Sequence, residues 1–434
     1  MTVLLRNGRI FDGDKLDETL QDVFIEGNRI RKIAKMEAQP GMEDITWDLK
    51  GKIICPGFID LHVHFRDPGQ EWREDIPSGA LAAAAGGFST VVAMPNTEPP
   101  IDCASLVQYV IEKGKRSHGA RVLPSGSVTK GRRGETLSEM AKMAAAGAVF
   151  FTDDGSPVQK SGLLQKALLY TRGLGIRIME HPEDMDLSMG GQVHWGYVSA
   201  RSGLKGNPAS SETGDIHRGI LLAEETRSPI HFTHVSTKAG LDAVRLAKQR
   251  DLAVSCDVTS HHLVMDEKAV VESGYDSLFK VNPPLRSTED RDALWEGIAD
   301  GTVDAIITDH APYHADEKDL PFQEAPFGIA SLECAVPAVL TEWARRGKPC
   351  TLERILSLWT SGPAALLPGQ WKELGRIIEG GMADITVLDT EIGQTIDPAH
   401  WRSKARMTPW AGRKLSHWPV MTIVEGRIVS GGNE

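Results

Sequence analysis

The stretch FIDLHVHFRDPG, residues 58–69, sets two histidines two positions apart inside an apolar run and closes on a Pro-Gly turn. Such a run reads as a buried strand, and side chains at i and i+2 of a strand share one face. His62 and His64 therefore point the same way, and Arg66 follows where the strand gives out. Seven further runs resemble it: FSTVVAMPN, ARVLPSGS, GAVFFTDDG, GIRIMEH, PIHFTHVS, LAVSCDV and VDAIITDHA. Between most of them lie segments of helical character, among them SLVQYVIEKGK, TLSEMAKMAAAG, LLQKALLYTRG, IHRGILLAEET, TKAGLDAVRLAKQR and TEDRDALWEGIAD. Eight strand-helix repeats predict an α/β chain built as a (β/α)8 TIM-like barrel. An open doubly wound sheet is the alternative, because periodicity alone does not show closure.

Both ends of the chain read differently. LLRNGRIFDG, VFIEGNRIRKIA and ITWDLKGKII near the start, with ADITVLDT and MTIVEGRIVSG near the end, are alternating strands with Asn-Gly, Glu-Gly and Lys-Gly turns. These predict a small β-sandwich domain assembled from residues 1–57 plus 372–434, with the barrel occupying 58–371.

At 434 residues the chain can bury roughly three quarters of its unfolded surface, enough for a deep, rigid site. Lys and Arg number 48 against 59 Asp and Glu, a net charge of -11 without long blocks of either sign, so no basic footprint for nucleic acid appears. A small-molecule substrate is expected. The five cysteines are scattered and never spaced as CxxC, which argues against a disulfide framework and a thiolate zinc site. Arg6 and Arg9 interrupt what an export signal would need as its apolar segment, and no run reaches membrane-spanning length. The expected location is the cytoplasm.

A barrel carries its chemistry at the C-terminal ends of its strands. Those ends hold His62 and His64 on the first run, Asn96 on the second, Asp153 and Asp154 on the fourth, His181 on the fifth, His234 on the sixth and Asp309 on the eighth. One inward histidine could be a satisfied core residue; four with carboxylates around one mouth point to metal. Imidazole and carboxylate without thiolate suit zinc, and also manganese, iron or cobalt. Six ligands exceed one tetrahedral ion and imply two, sharing a carboxylate and a hydroxide. Of Asp153 and Asp154, one would ligate while the other caps or orients a neighbour. Asp309 on the metal edge suits a general acid/base. Arg66 offers a planar fork for a substrate carboxylate, and Asn96 and Asn282 offer amides at the same mouth. His231 and the pair His261 and His262 read as hydrogen-bonding residues rather than ligands.

DLHVHFRDPG, GGFSTVVAMPNTEPP, FTDDGSPV, HFTHVST, VTSHHL, VNPPLR, TDHAP, APFG and SKARMTPWAGRKL together resemble, over nearly the whole chain, the dihydroorotases of class I type in the amidohydrolase superfamily. The F-R-D-P-G that follows H-x-H is the most specific element. The resemblance implies reversible closure of N-carbamoyl-L-aspartate to L-dihydroorotate in pyrimidine biosynthesis, with two Zn2+ per subunit. It implies His62, His64 and Asp309 on one metal and His181 and His234 on the other. No lysine stands on the fourth strand, so an aspartate would bridge, and the spacing to His181 favours Asp154. Arg66, Asn96 and Asn282 would bind the substrate carboxylate and ring, and Pro326, Phe327 and Gly328 would contact the ring amides. Where the family usually reads D-H-A-P-H, with the last histidine on the substrate carboxylate, this chain reads Asp309-His310-Ala311-Pro312-Tyr313-His314. Either Tyr313 substitutes or His314 moves in. A homodimer is implied, as is association with aspartate transcarbamoylase. The competing readings are another cyclic amidase, allantoinase or dihydropyrimidinase, and a non-catalytic scaffold that would be expected to have lost its ligands.

Overall fold

In a computed structural model, residues 2–35 and 44–431 are described. Eight parallel strands, Phe58–Val63, Phe88–Ala93, Arg121–Pro124, Phe150–Phe151, Arg177–Glu180, Ile230–Phe232, Val254–Thr259 and Ala305–Ile307, alternate with helices in chain order. They pair as two parallel sheets, strands one to three and four to eight. Backbone bonds join the two on both sides: Gly126 N–H to Phe150 O at 2.9 Å, and His64 N–H to His310 O at 2.8 Å. The barrel is therefore closed, and the open-sheet alternative is set aside. An apolar cluster drawn from six strands, including Ile59, Leu61, Val92, Leu123, Phe150, Met179, Ala305 and Ile307, meets Ala364, Leu366 and Leu374 from beyond the last strand. Among the described residues no helix is long and apolar enough to cross a membrane.

Local sequence accounts for the helix ends. Asp75 and Ser78 form a capping box for Ile76–Ala85, Ser287 and Asp290 form another for Thr288–Ala299, and Thr237 caps Lys238–Gln249. The helix Ile76–Ala85 escapes the periodicity reading because GALAAAA contains almost no polar contrast. Its small side chains are buried on most sides, so composition there carries no stripe.

The terminal segments form one eight-stranded sheet that packs on itself as a sandwich, with Val3, Leu5, Val23 and Ile25 in one cluster with Ile385, Val387 and Ile423. Glu26-Gly27 and Glu425-Gly426 turn hairpins, as their sequences predict. Asn7-Gly8 does not. It lies within the strand Thr2–Phe11 at a register shift, with Asn7 at φ 55°, so the left-handed residue bulges a strand rather than ending it. Lys50-Gly51 links two strands that both run parallel to the first, and so forms no hairpin.

Buried polar contacts lock this sandwich to the barrel. Arg121 pairs with Asp384 at 2.6 Å, and Thr386 Oγ1 donates to Gly87 O at 2.6 Å. From the other side, an arm at residues 402–404 lies against the barrel, held by two buried carboxylates. Glu333 accepts the N–H groups of Arg402 and Ser403 on one oxygen, at 2.8 and 3.0 Å. Glu74 accepts from Lys404 N–H at 3.3 Å and meets the Ser403 hydroxyl. Burial pushes Glu333 up to about 7, with the nearby Glu74 charge adding to it against those backbone bonds. A carboxyl raised on folding contributes stability that is present below its unfolded value and is lost as pH rises through about 7. Glu333→Gln keeps the accepting oxygen and removes the titration. Thermal or denaturant unfolding should show the variant close to the parent at pH 5 and about 2–3 kcal/mol more stable at pH 8.

Candidate metal centre

At the C-terminal mouth of the barrel, His62 and His64 converge with Asp154, and Asp154 converges with His181 and His234, all of them buried. In each trio the candidate ligand atoms lie within 4.8 Å of one another. Asp154 belongs to both: its Oδ1 stands 3.5 Å from His62 Nε2, 3.3 Å from His181 Nδ1 and 3.5 Å from His234 Nε2, while Oδ2 stands 3.7 Å from His64 Nε2. Asp309 Oδ1 lies 3.2 Å from His64 Nε2 and 3.7 Å from His62 Nε2. This is a buried binuclear His/Asp metal site. The two neighbouring aspartates separate by geometry. Asp153 faces away from the trios, accepting the N–H groups of Val128 and Thr129 at 2.9 and 3.1 Å and the Thr129 hydroxyl.

The donor atoms themselves ask for cations. His62 Nε2 and Asp154 Oδ1 are buried and, among the described residues, lack a hydrogen-bond partner. His181 Nδ1 and His234 Nε2 face each other at 2.8 Å beside that same oxygen. Nitrogens and a carboxylate oxygen aimed at common points, otherwise a costly set of unmet polar atoms, fit a pair of metal ions. Burial works against charge here, yet the Asp154 carboxylate raises His62 to about 9, and bonds to Asp154 and Glu183 raise His181 to about 10. For Asp154 burial is likewise overridden, and the surrounding imidazoles hold it well below the usual carboxylate range.

Three of the four imidazoles are aimed by their other nitrogen. His62 Nδ1 meets Thr233 Oγ1 at 2.8 Å, His64 Nδ1 meets Asn96 Oδ1 at 2.8 Å, and His181 Nε2 meets Glu183 Oε2 at 3.0 Å. Asp257, fully buried, accepts the backbone N–H of His234 at 2.5 Å and the Thr233 hydroxyl at 3.2 Å, and its other contact is His231 Nε2 at 2.8 Å. Such supports fix which nitrogen faces a metal. Arg66, His234 and Asp309 all have left-handed φ, at 55°, 42° and 46°, where the strands break off. Backbone strain of about 1–3 kcal/mol at each is characteristic of a site that needs a particular side-chain direction.

A cavity of about 230 Å3 opens above the trios, lined by His64, Arg66, Asn96, Asp154, His181, His234, Asn282, Asp309, Tyr313, Phe327 and Gly328 among others. Arg66 uses Nε on the Pro312 carbonyl at 3.3 Å. Of the residues expected to bind substrate, two lie outside the lining. The His314 ring caps the short helix Ala315–Lys318, accepting from Asp316 N–H at 3.3 Å, and is half exposed. The Pro326 carbonyl accepts from Lys318 Nζ at 2.9 Å. His262 bonds Thr259 and the carbonyls of Pro283 and Pro284. Sequence reading missed Glu183, Thr233 and Asp257. Glu183 was findable, two positions beyond His181 as His64 is beyond His62; Asp257 sits mid-strand, where a search of strand ends does not look.

Comparison with known proteins agrees with this geometry. The Dihydro-orotase-like family matches residues 51–240, and the Amidohydrolase family matches 227–430. Dihydroorotases of Pelotomaculum thermopropionicum and Anaeromyxobacter dehalogenans are 44% and 42% identical, covering 99% and 98% of this chain and 98% and 97% of their own. Among solved structures, the L-hydantoinase (dihydropyrimidinase) of Arthrobacter aurescens superposes with a TM-score of 0.87 at 26% identity, covering 100% of this chain and 96% of its own. With a buried binuclear His/Asp site at the mouth of a closed barrel and relatives of this identity over its full length, the chain belongs to the dihydroorotase family of amidohydrolases.

Proposed function

We propose that this chain catalyses the reversible interconversion of L-dihydroorotate and N-carbamoyl-L-aspartate. The observation that carries the choice of substrate is Arg66. It lines the cavity, is 7% exposed, and has no carboxylate partner among the described residues. A buried guanidinium without a counter-ion favours a substrate that brings one. Allantoin, hydantoin and dihydrouracil carry no carboxylate, so the same argument weighs against the amidase alternatives. The filled ligand positions weigh against a scaffold that has lost its chemistry.

In this reading His62, His64 and Asp309 would hold one Zn2+ and His181 and His234 a second, with Asp154 common to both trios. Bound there, two ions would acidify a water molecule and polarise the ring amide carbonyl. Arg66 takes the substrate carboxylate. Asn282 directs Nδ2 to Glu183 Oε2 at 3.1 Å, which leaves its carbonyl oxygen to accept from a ring N–H. Gly328 gives its own N–H to Lys280 O at 2.9 Å, which holds the Phe327-Gly328 segment at the cavity wall, where it would contact the ring. Asp309, ionised despite its burial through the His64 bond and the neighbouring histidine charges, receives the proton of the attacking water. As the new C–O bond forms and the ring C–N bond breaks, Asp309 returns that proton to the departing nitrogen. The reverse direction uses the same groups.

Glu183 supports both halves of this arrangement, since one oxygen holds His181 and Asn282. Burial would raise its pKa, but the His181 bond brings it down to about 2, so it remains a carboxylate acceptor. We carry over from the resemblance a cytoplasmic homodimer and aspartate transcarbamoylase as a partner. The buried thiols of Cys55, Cys256 and Cys334, pushed upward by burial, are consistent with a reducing compartment.

Metal quantification coupled to hydrolysis of dihydroorotate, allantoin, hydantoin and dihydrouracil tests the whole reading. About two equivalents of zinc with turnover of dihydroorotate alone is the expected result, and preference for an uncharged ring would overturn it. Asp309→Asn should retain most of the metal while turnover falls by about 10²–10⁴-fold. Undiminished turnover would remove Asp309 from proton transfer. Glu183→Ala should weaken metal retention by about 10–100-fold in chelator competition, with activity recovered by added zinc.

A further inference from the structure

Tyr313 stands where two arginines meet. The guanidinium carbon of Arg66 and that of Arg73 each lie 4.7 Å from the centroid of its ring. Arg73 is held from behind: its Nε donates to Glu317 Oε1 and Oε2 at 3.0 and 2.9 Å, and its Nη2 also meets Oε1. Among the described residues Arg66 has no such partner, and its hydrogen bond goes to the Pro312 carbonyl at 3.3 Å. Two guanidinium groups this close would repel. A π-face attracts both and, being rigid, sets the plane in which each can lie.

The ring is seated closely. Gly328 faces it at φ +131°, and a Cβ there would stand 3.1 Å from Tyr313 Cε2 and 2.7 Å from Ala311 O. A side chain at residue 328 would therefore press on the ring. No hydrogen bond of the phenol oxygen is seen among the described residues, so the ring face carries the contacts. Glu317 neutralises Arg73 locally, while Arg66 lines the cavity.

We propose that Tyr313 and Arg73 form a positioning unit for Arg66, with the ring fixing the orientation of its fork and the Arg73–Glu317 pair holding the ring, so that the site selects rings bearing a carboxylate. This rests on the reading of Arg66 as the carboxylate anchor. It makes residues 73 and 317 determinants of specificity at one remove from the substrate, acting through the Tyr313 ring in the cavity lining. The hydroxyl is not needed; the face is.

The test uses the full-length, zinc-loaded enzyme with Tyr313→Phe, Tyr313→Leu and Arg73→Met. Two constants are read: KM against kcat for dihydroorotate, and the calorimetric affinity of succinate, a dicarboxylate probe that needs no turnover. Tyr313→Leu should raise KM and weaken succinate by about tenfold or more, the scale of a desolvated cation–π contact, with kcat within about threefold. Metal content and Tm should match the parent, which separates positioning from misfolding. Tyr313→Phe should restore both constants, and Arg73→Met should shift them in the direction of the leucine variant. Unchanged KM and succinate affinity in Tyr313→Leu would overturn the proposal, as would a phenylalanine variant that behaves like leucine. Failure of the parent to turn over dihydroorotate would instead sink the assigned reaction, and the succinate arm would still judge the positioning unit.

Discussion

One carboxylate oxygen organises this molecule. Asp154 Oδ1 lies within 3.5 Å of nitrogens from His62, His181 and His234, and among the described residues it has no hydrogen-bond partner. Packing four imidazoles and two carboxylates into a buried mouth would be unfavourable for a chain without cations. With cations it becomes a stable arrangement, and that requirement explains why so much of the surrounding structure is devoted to holding side chains still.

The holding is done by a second set of buried polar groups. Asp257 fixes the backbone at His234 and the hydroxyl that orients His62. Asp60 accepts the His62 N–H and the Thr308 N–H, both at 3.2 Å, and thereby ties the first strand to the eighth just below His64 and Asp309. Glu183 does the same for His181 and Asn282. Turn chemistry contributes as well. Gly69, at φ +103°, lets the first loop pass the carbonyl of Glu98, where a Cβ would stand 1.8 Å from that oxygen. Asp67 anchors the same loop to Ile76 N–H, to Tyr109 and to Lys113. The sandwich adds a clamp from outside, through Glu74 and Glu333 on the arm at residues 402–404.

Much of this was legible in one dimension. Strand runs of β-branched residues stood out because period two and short length are local properties, and the amphipathic helices stood out for the same reason. The alanine-rich helix Ile76–Ala85 did not, because a helix buried on most sides has no polar face to mark it. Asn7-Gly8 read as a turn and proved to be a bulge, since the left-handed residue that a turn needs serves a bulge equally well. For the site, His62, His64, His181, His234 and Asp309 were found from their places at strand ends. Asp257 was not, as its role depends on neighbours 23 and 24 positions away along the chain.

The sequence by itself determined the chemistry: imidazoles and carboxylates at strand ends, an arginine beyond them, and no thiolate set. Those follow from residue type and local period. Only the tertiary structure decided which of Asp153 and Asp154 faces the histidines, because adjacent residues at a strand end point apart and the choice rests on backbone donors at Val128 and Thr129. It likewise decided between Tyr313 and His314 as the neighbour of Arg66. A helix cap claims the imidazole of His314, while the ring of Tyr313 finds two guanidinium groups brought from residues 66 and 73, a meeting set by barrel closure rather than by any spacing along the chain.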